Sequence, residues 1–188
     1  GVYMIQYKYL TYYQLYVAKS NYSRKGKRDT GGVHFMDSKA FFKLSYGVYI
    51  ISTSADGRES GCVINTLTQV TSSPARLSIA LNKENYTFKL IETSGTFSAV
   101  VLSDDVAMDL IRRFGFQCGK DVEKYDGIPH GRDSLHNPYP TEGVCARFTC
   151  RVVSSMDVGT HMIIVGEAVE AEVLDSQTPA LTYSNYHL

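Results

Sequence analysis

Residues 61–74 read GCVINTLTQVTSSP. Val63 and Ile64 have the character of a core strand. Asn65, Thr66, Thr68, Gln69, Thr71, Ser72 and Ser73 then follow almost together. Short hydroxyl and amide side chains compete for backbone hydrogen bonds and tend to interrupt regular structure. Yet RLSIALN, residues 76–82, alternates as a strand should, so the chain stays beside the core. The polar run reads either as a Ser/Thr-rich loop satisfied by its own turns, or as an irregular segment whose donors surround a ligand.

Working outward, LSYGVYIISTS (44–54) is β-rich and ends in ADGRE, a turn built on Asp56-Gly57. SGCVINT then returns as the second strand of a hairpin. KENYTFKLIETSG reads as a short helix with Asn85 as N-cap, Phe88 and Ile91 on one face and Gly95 as the stop. TFSAVVLS is a further strand. DDVAMDLIRRFGF reads as a second helix, with Asp104 and Asp105 at its positive end and Met108, Ile111 and Phe114 at helical spacing. Residues 127–143 hold three of the five prolines and read as a long surface loop. CARFTCRVVSSM and THMIIVGEAVEAEVL are two long strands joined near Asp157-Val158-Gly159. Five or six strands joined mostly by tight turns, with two or three short helices inserted, predict a mainly β fold: an antiparallel sheet closed into a small barrel. Neither GxGxxG nor GxxxxGK[ST] occurs, so neither a Rossmann site nor a P-loop is indicated.

The 188 residues suit one domain with a core of its own. A formal net charge of +0 gives no general attraction to nucleic acid or to an anionic membrane. No apolar run is long enough to span a bilayer. Cys62, Cys118, Cys145 and Cys150 form no CxxC pair, and no His stands at metal-finger spacing from them, so no metal site is expected. Scattered cysteines of this kind read as reduced, cytoplasmic thiols. Half of the 14 tyrosines precede residue 36, and there Lys8, Lys19, Arg24, Lys25, Lys27 and Arg28 face Asp29 alone. Residues 1–35 therefore read as a basic, Tyr-rich leader outside the working domain, which is assigned to 36–188. A basic arm for nucleic acid or a partner is the competing reading.

Four segments in this order, GVYIIST, GCVINTLTQVTSSPARLSIALNKENYT, FGFQCGKDVEKYDGI and GTHMIIVGEAV, resemble the flavin reductase-like, FMN-binding split barrels. The subgroup most similar is the flavin domain of high-molecular-weight rubredoxins and flavoredoxins. The resemblance implies a flavin held by Asn65, Thr66, Leu67 and Thr68, largely through backbone groups along the isoalloxazine ring. An irregular backbone offers the alternating donors and acceptors that the ring's pyrimidine edge needs. Asn82, Lys83, Asn85 and Thr87, in NKENYT, become the phosphate end, where a helix N-terminus and a lysine suit an anion. The same residues also suit an ordinary cap with an exposed lysine. His161 becomes the residue near flavin and nicotinamide, although Thr160 stands where the family usually has Asp. Packing at a strand end is its other reading. Lys124 becomes a residue reaching flavin or substrate.

The implied activity is hydride transfer from NAD(P)H to flavin, with FMN rather than FAD as cofactor, in a cytoplasmic homodimer with the flavin near its interface. A separate rubredoxin is a further implied partner, since the chain has no CxxC pair of its own. The competing function is a non-enzymatic FMN electron carrier.

Overall fold

The computed structural model describes residues 37–186, so the leader assigned to 1–35 lies outside the described residues. The chain divides into two units, Gly1–Leu44 and Ser45–Leu188. In the first, a 3₁₀ helix runs over Ser38–Lys43. The second unit contains β1 (Tyr49–Ala55), β2 (Arg58–Ile64), β3 (Thr68–Ser72), β4 (Ala75–Asn82), α1 (Tyr86–Ser94), β5 (Thr96–Leu102), α2 (Met108–Gly115), β6 (His130–Arg132), β7 (Pro138–Pro140), β8 (Val144–Asp157), β9 (His161–Val173) and α3 (Tyr183–Tyr186). Seven strands form one sheet in the order β2-β1-β5-β8-β9-β4-β3, and β6 and β7 form a separate ribbon. Every pairing is antiparallel.

The β1–β2 hairpin closes where the sequence places it. Asp56 and Gly57 both have positive φ, 51° and 71°, as a two-residue hairpin turn demands. The strand that follows the turn is in register with the first, Ala55 opposite Arg58 and Tyr49 opposite Ile64.

β1 does not alternate between apolar and polar, because both of its faces are covered. Ile50 and Ile51 are each 0 % exposed. Ile51 joins Cys62, Leu77, Ile79, Phe88, Phe97 and Ile164 in one core, while Ile50 joins Val100, Ile111, Phe114 and Tyr125 in another. Cys62 of β2 and Leu77 of β4 lie near opposite ends of the strand order, yet they share the first core. The sheet therefore curls around its inner face while its ends stay open, which makes it a split barrel. Register shifts at Thr149/Cys150 and Val152/Ser154 bend the long β8–β9 pair, as β-bulges do. Gly166 permits a close approach: a Cβ there would stand 2.7 Å from the Phe97 ring and 2.8 Å from Cys150 Cβ.

α1 forms as its sequence indicates. Asn85 Oδ1 accepts from the Thr87 amide at 2.9 Å, and Gly95 ends the helix in the left-handed conformation at φ 67°. Phe88, Leu90 and Ile91 are buried, and removing side chains of this kind from water stabilises by about 1.5–3 kcal/mol each.

Three expectations need correction. The polar run is not all turn: residues 68–72 form β3, an edge strand exposed along its whole length. The Thr71 hydroxyl donates to the Pro74 carbonyl at 2.6 Å, and β4 supplies the ladder on one side only. A register shift between Gln69 and Thr71 then breaks the edge. The second helix starts at Met108, not at Asp104, and it has no side-chain cap. Ser103 Oγ instead donates to Asp105 at 2.6 Å and holds that residue before the helix. Finally, residues 127–143 are not merely a surface loop. Asn137 is 0 % exposed. Its Oδ1 accepts from Thr53 and Thr96, at 3.2 and 3.0 Å, and Asp133 accepts from the Asn137 and Leu135 amides. Buried polar groups satisfied in this way leave no hydrophobic signature in the sequence.

Candidate functional site

β4 organises the site. The β1–β2 ladder ends at Ile64 and the β3–β4 ladder begins at Thr68, so residues 65–67 stand between the two ladders. Thr66 clasps this segment to β4: its hydroxyl donates to the Ala80 carbonyl at 3.0 Å and accepts from the Ala80 amide at 3.1 Å. Leu67 turns inward to the barrel core, while Thr68 is exposed. Asn65 borders a pocket of ≈ 170 Å³ with Val48, Val63, Ile64, Tyr183 and Tyr186.

Two residues beyond Ala80, Asn82 lies opposite His161 at the end of the β4–β9 ladder. Lys83 fastens the β8–β9 turn there. Its amide donates to the Thr160 carbonyl at 3.1 Å, and its ammonium lies 2.6 Å from Asp157. The Lys83 ammonium and the Gly159 amide hold the Asp157 carboxyl below its ordinary range. Half-buried His161 shares a 2.8 Å hydrogen bond between Nδ1 and the Thr160 hydroxyl. Thr160 therefore gives the imidazole a hydrogen-bond partner. Asn82 Oδ1 accepts from the Glu84 amide at 2.9 Å.

The chain then enters α1. Asn85 caps the Thr87 amide, and the Thr87 hydroxyl pairs with Ser60 at 2.9 Å. Ser60 and Thr87 are buried, at 0 % and 1 % exposed, so Thr87 faces β2 rather than solvent. Beside them, burial pushes the Cys62 thiol up to about 11, against hydrogen bonds from Thr87 and Asn85. Tyr86, at the first turn, lies beneath the Arg58 guanidinium at 5.9 Å. First-turn amides have no helical partners, which makes this end receptive to an anion.

Lys124 is placed differently. It is 1 % exposed, and its ammonium donates to the Arg113 carbonyl at 2.6 Å and to that of Gln117. Burial lowers its pKa to about 8. Its amine braces the turn after α2. Arg58, Ser60, Asp157 and Thr160 complete these contacts and were not singled out as site residues from the sequence. The Asp-Val-Gly turn was a usable signal for Asp157. The pairing of Ser60 with Thr87 spans 27 positions and has no local signal. Among the described residues, no group of His, Cys, Asp and Glu could hold a metal ion, and no helix is long and apolar enough to cross a membrane.

A curled antiparallel sheet with an irregular segment and a helix N-terminus gathered on one inner strand defines the split-barrel flavoproteins as a class. Residues 41–188 match the family described as flavin reductase like domain, and the chain belongs to that family and is an oxidoreductase. It is 42 % identical over 153 residues to a ferric-chelate reductase (NAD(P)H) of Archaeoglobus fulgidus, covering 81 % of this chain and 90 % of the relative. It is 36 % identical over 152 residues to a high molecular weight rubredoxin of Moorella thermoacetica, covering 81 % of this chain and 66 % of that protein. The fold is shared with the crystal structure of a flavoredoxin from Methanosarcina acetivorans, at a TM-score of 0.65 and 20 % identity over 82 % of this chain and 77 % of that one.

Proposed function

We propose that this protein is an NAD(P)H-dependent flavin oxidoreductase that holds FMN along β4. The observation that carries this reading is the break between ladders at residues 65–67, clasped by Thr66 to the strand that ends at Asn82, opposite His161 of β9. The backbone of Asn65, Thr66 and Leu67, with Thr68 at the edge, would meet the polar edge of the flavin ring. Lys83, Asn82 and the first turn of α1 would receive the phosphate, with Asn85 and Thr87 shaping that turn from within. Lys124 supports the site by position, through the carbonyls it binds.

When bound, FMN would accept a hydride from the nicotinamide and pass the electrons to an acceptor. The protein's part is orientation. His161, fixed at Nδ1 by Thr160, presents its ring edge at the strand end where the nicotinamide would lie. Neither a nucleophile nor a carboxylate pair is required for this chemistry.

The ferric-chelate reductase makes chelated ferric iron a natural acceptor to test, and the rubredoxin relative makes a separate rubredoxin another. Exposed apolar side chains on β8 and β9, among them Val153, Met156, Val169 and Val173, support a homodimer. The four free cysteines are in keeping with the reducing cytoplasm.

The test is NADH and NADPH oxidation with Fe(III)–EDTA as acceptor, with and without added FMN. Turnover that requires FMN supports the proposal. FMN binding without any nicotinamide oxidation would make the protein an electron carrier instead.

A further inference from the structure

An open concavity of ≈ 570 Å³ lies at the tip of the β1–β2 hairpin, where Arg132 of β6 and His136 of the β6–β7 turn also reach. Its charged lining comes from Asp56, Arg58, Glu59, Glu123 and Arg132, with His136 beside them. We propose that this concavity is an adenylate subsite: it takes the adenosine phosphate half of a dinucleotide.

The mixed lining is the first reason. A site for a simple anion would be uniformly basic. A ribose phosphate instead needs guanidinium forks for its phosphate oxygens and carboxylates to accept from its ribose hydroxyls. Both are here in matched pairs. Arg132 lies 2.5 Å from Glu59 and also donates to the His136 carbonyl at 3.2 Å. Arg58 lies 3.5 Å from Glu123. The two arginine side chains are 45 % and 49 % exposed, so a phosphate can reach them from solvent and exchange with the carboxylates.

Position is the second reason. Arg58 both lines the concavity and stands over Tyr86, the first residue of α1. Ser60, two residues along β2, is bonded to Thr87 in the same first turn. The concavity therefore begins where the polar corner at α1 ends. A ligand whose first phosphate sits on that turn would carry its second phosphate and adenosine into the space beyond. This placement of the first phosphate rests on the flavin reading above; the concavity and its charged pairs do not.

The adenylate has two possible sources, FAD and the nicotinamide dinucleotide, and binding measurements separate them. Isothermal titration of the full chain with AMP, FMN and FAD, and of the FMN-loaded protein with NAD⁺, would be compared with two variants. Arg132→Gln removes a guanidinium. Ala55→Trp fills the space from a lining position without touching a charge. Melting curves without ligand would establish that each variant folds.

The expected result is that AMP binds alone, and that both variants weaken AMP and FAD by ~10-fold while FMN changes by less than ~2-fold. If NAD⁺ weakens instead and FAD does not, the subsite stands with the nicotinamide dinucleotide as its source. Absence of AMP binding, with the FAD to FMN ratio and NAD⁺ affinity the same in both variants, would overturn the proposal. Equal weakening of FMN and FAD would also overturn it, because it would put Arg132 at the phosphate that both share. AMP binding that is lost in the variants, in a protein that takes no flavin, would uphold the subsite and reject the flavin reading.

Discussion

Lys124→Met tests how the turn behind the site is held. In the folded protein the ammonium is buried with a pKa lowered to about 8, whereas the free side chain titrates at 10.5. The folded state thus holds its Lys124 proton less tightly than the unfolded chain does. Between those two values the unfolded state binds more protons, and stability rises with pH. Each unit of difference corresponds to ~1.4 kcal/mol, so burying the charged form costs about 3 kcal/mol near neutrality, and about 1 kcal/mol of that is relieved between pH 7 and 9. Met keeps the length and apolar volume but cannot titrate. The assay is urea unfolding of both proteins at pH 7, 8 and 9. The stability of wild type relative to Lys124→Met should rise by about 1 kcal/mol over this range. Burial also raises the thiols of Cys62, Cys145 and Cys150, and those groups act in the opposite direction above pH 9. Losing the Lys124 ammonium can only raise Cys62 further, so the folded-state thiols stay protonated below pH 9 in both proteins and contribute equally over this range. A pH-independent difference would show that the ammonium is not buried as described.

Other positions give separate outcomes. Gly166→Ala should lower stability by about 1–3 kcal/mol in denaturant unfolding, because its Cβ meets the Phe97 ring and Cys150 at 2.7 and 2.8 Å. Asn85→Ala should cost about 1 kcal/mol through the lost cap, seen as a lower urea midpoint with an unchanged slope. Lys83→Ala removes only an exposed pair with Asp157, so stability should change by less than about 1 kcal/mol. FMN affinity, measured by fluorescence quenching, should nevertheless fall by ~10-fold, through loss of a charge-assisted contact. Thr160→Val should slow hydride transfer by ~10-fold in stopped flow while FMN affinity stays within ~2-fold, since the imidazole loses its partner but not its place.

Much of the succession of strands and helices along the chain was legible because its signals are local. Asp56-Gly57 announced a hairpin, and Asn85 and Gly95 bracketed a helix. The segments lost to sequence reading depend on distant partners. Residues 127–143 look solvated because Asp133 and Asn137 are polar, yet Thr53 and Thr96 satisfy Asn137 inside the fold. β3 was hidden because every residue in it faces solvent, so it has no alternation to detect. Of the candidate site, Asn82, Lys83 and His161 rest on the family resemblance rather than on a local signal; the β4–β9 ladder sets Asn82 opposite His161, and the Lys83 amide donates to the Thr160 carbonyl beside them. Thr87 and Lys124 looked available because charge and hydroxyl content suggest exposure. Their burial rests on Ser60, Arg113 and Gln117, which only the fold brings near.

The most direct test of the flavin assignment is an anaerobic titration of the FMN-loaded protein with NADH and then NADPH, followed by the visible flavin absorbance. Binding of FMN along β4, with His161 at the nicotinamide end, predicts a flavin band that bleaches stoichiometrically with at least one nucleotide and returns on addition of Fe(III)–EDTA. A protein that takes up no FMN, or one whose bound FMN stays oxidised in excess of both nucleotides, would contradict it.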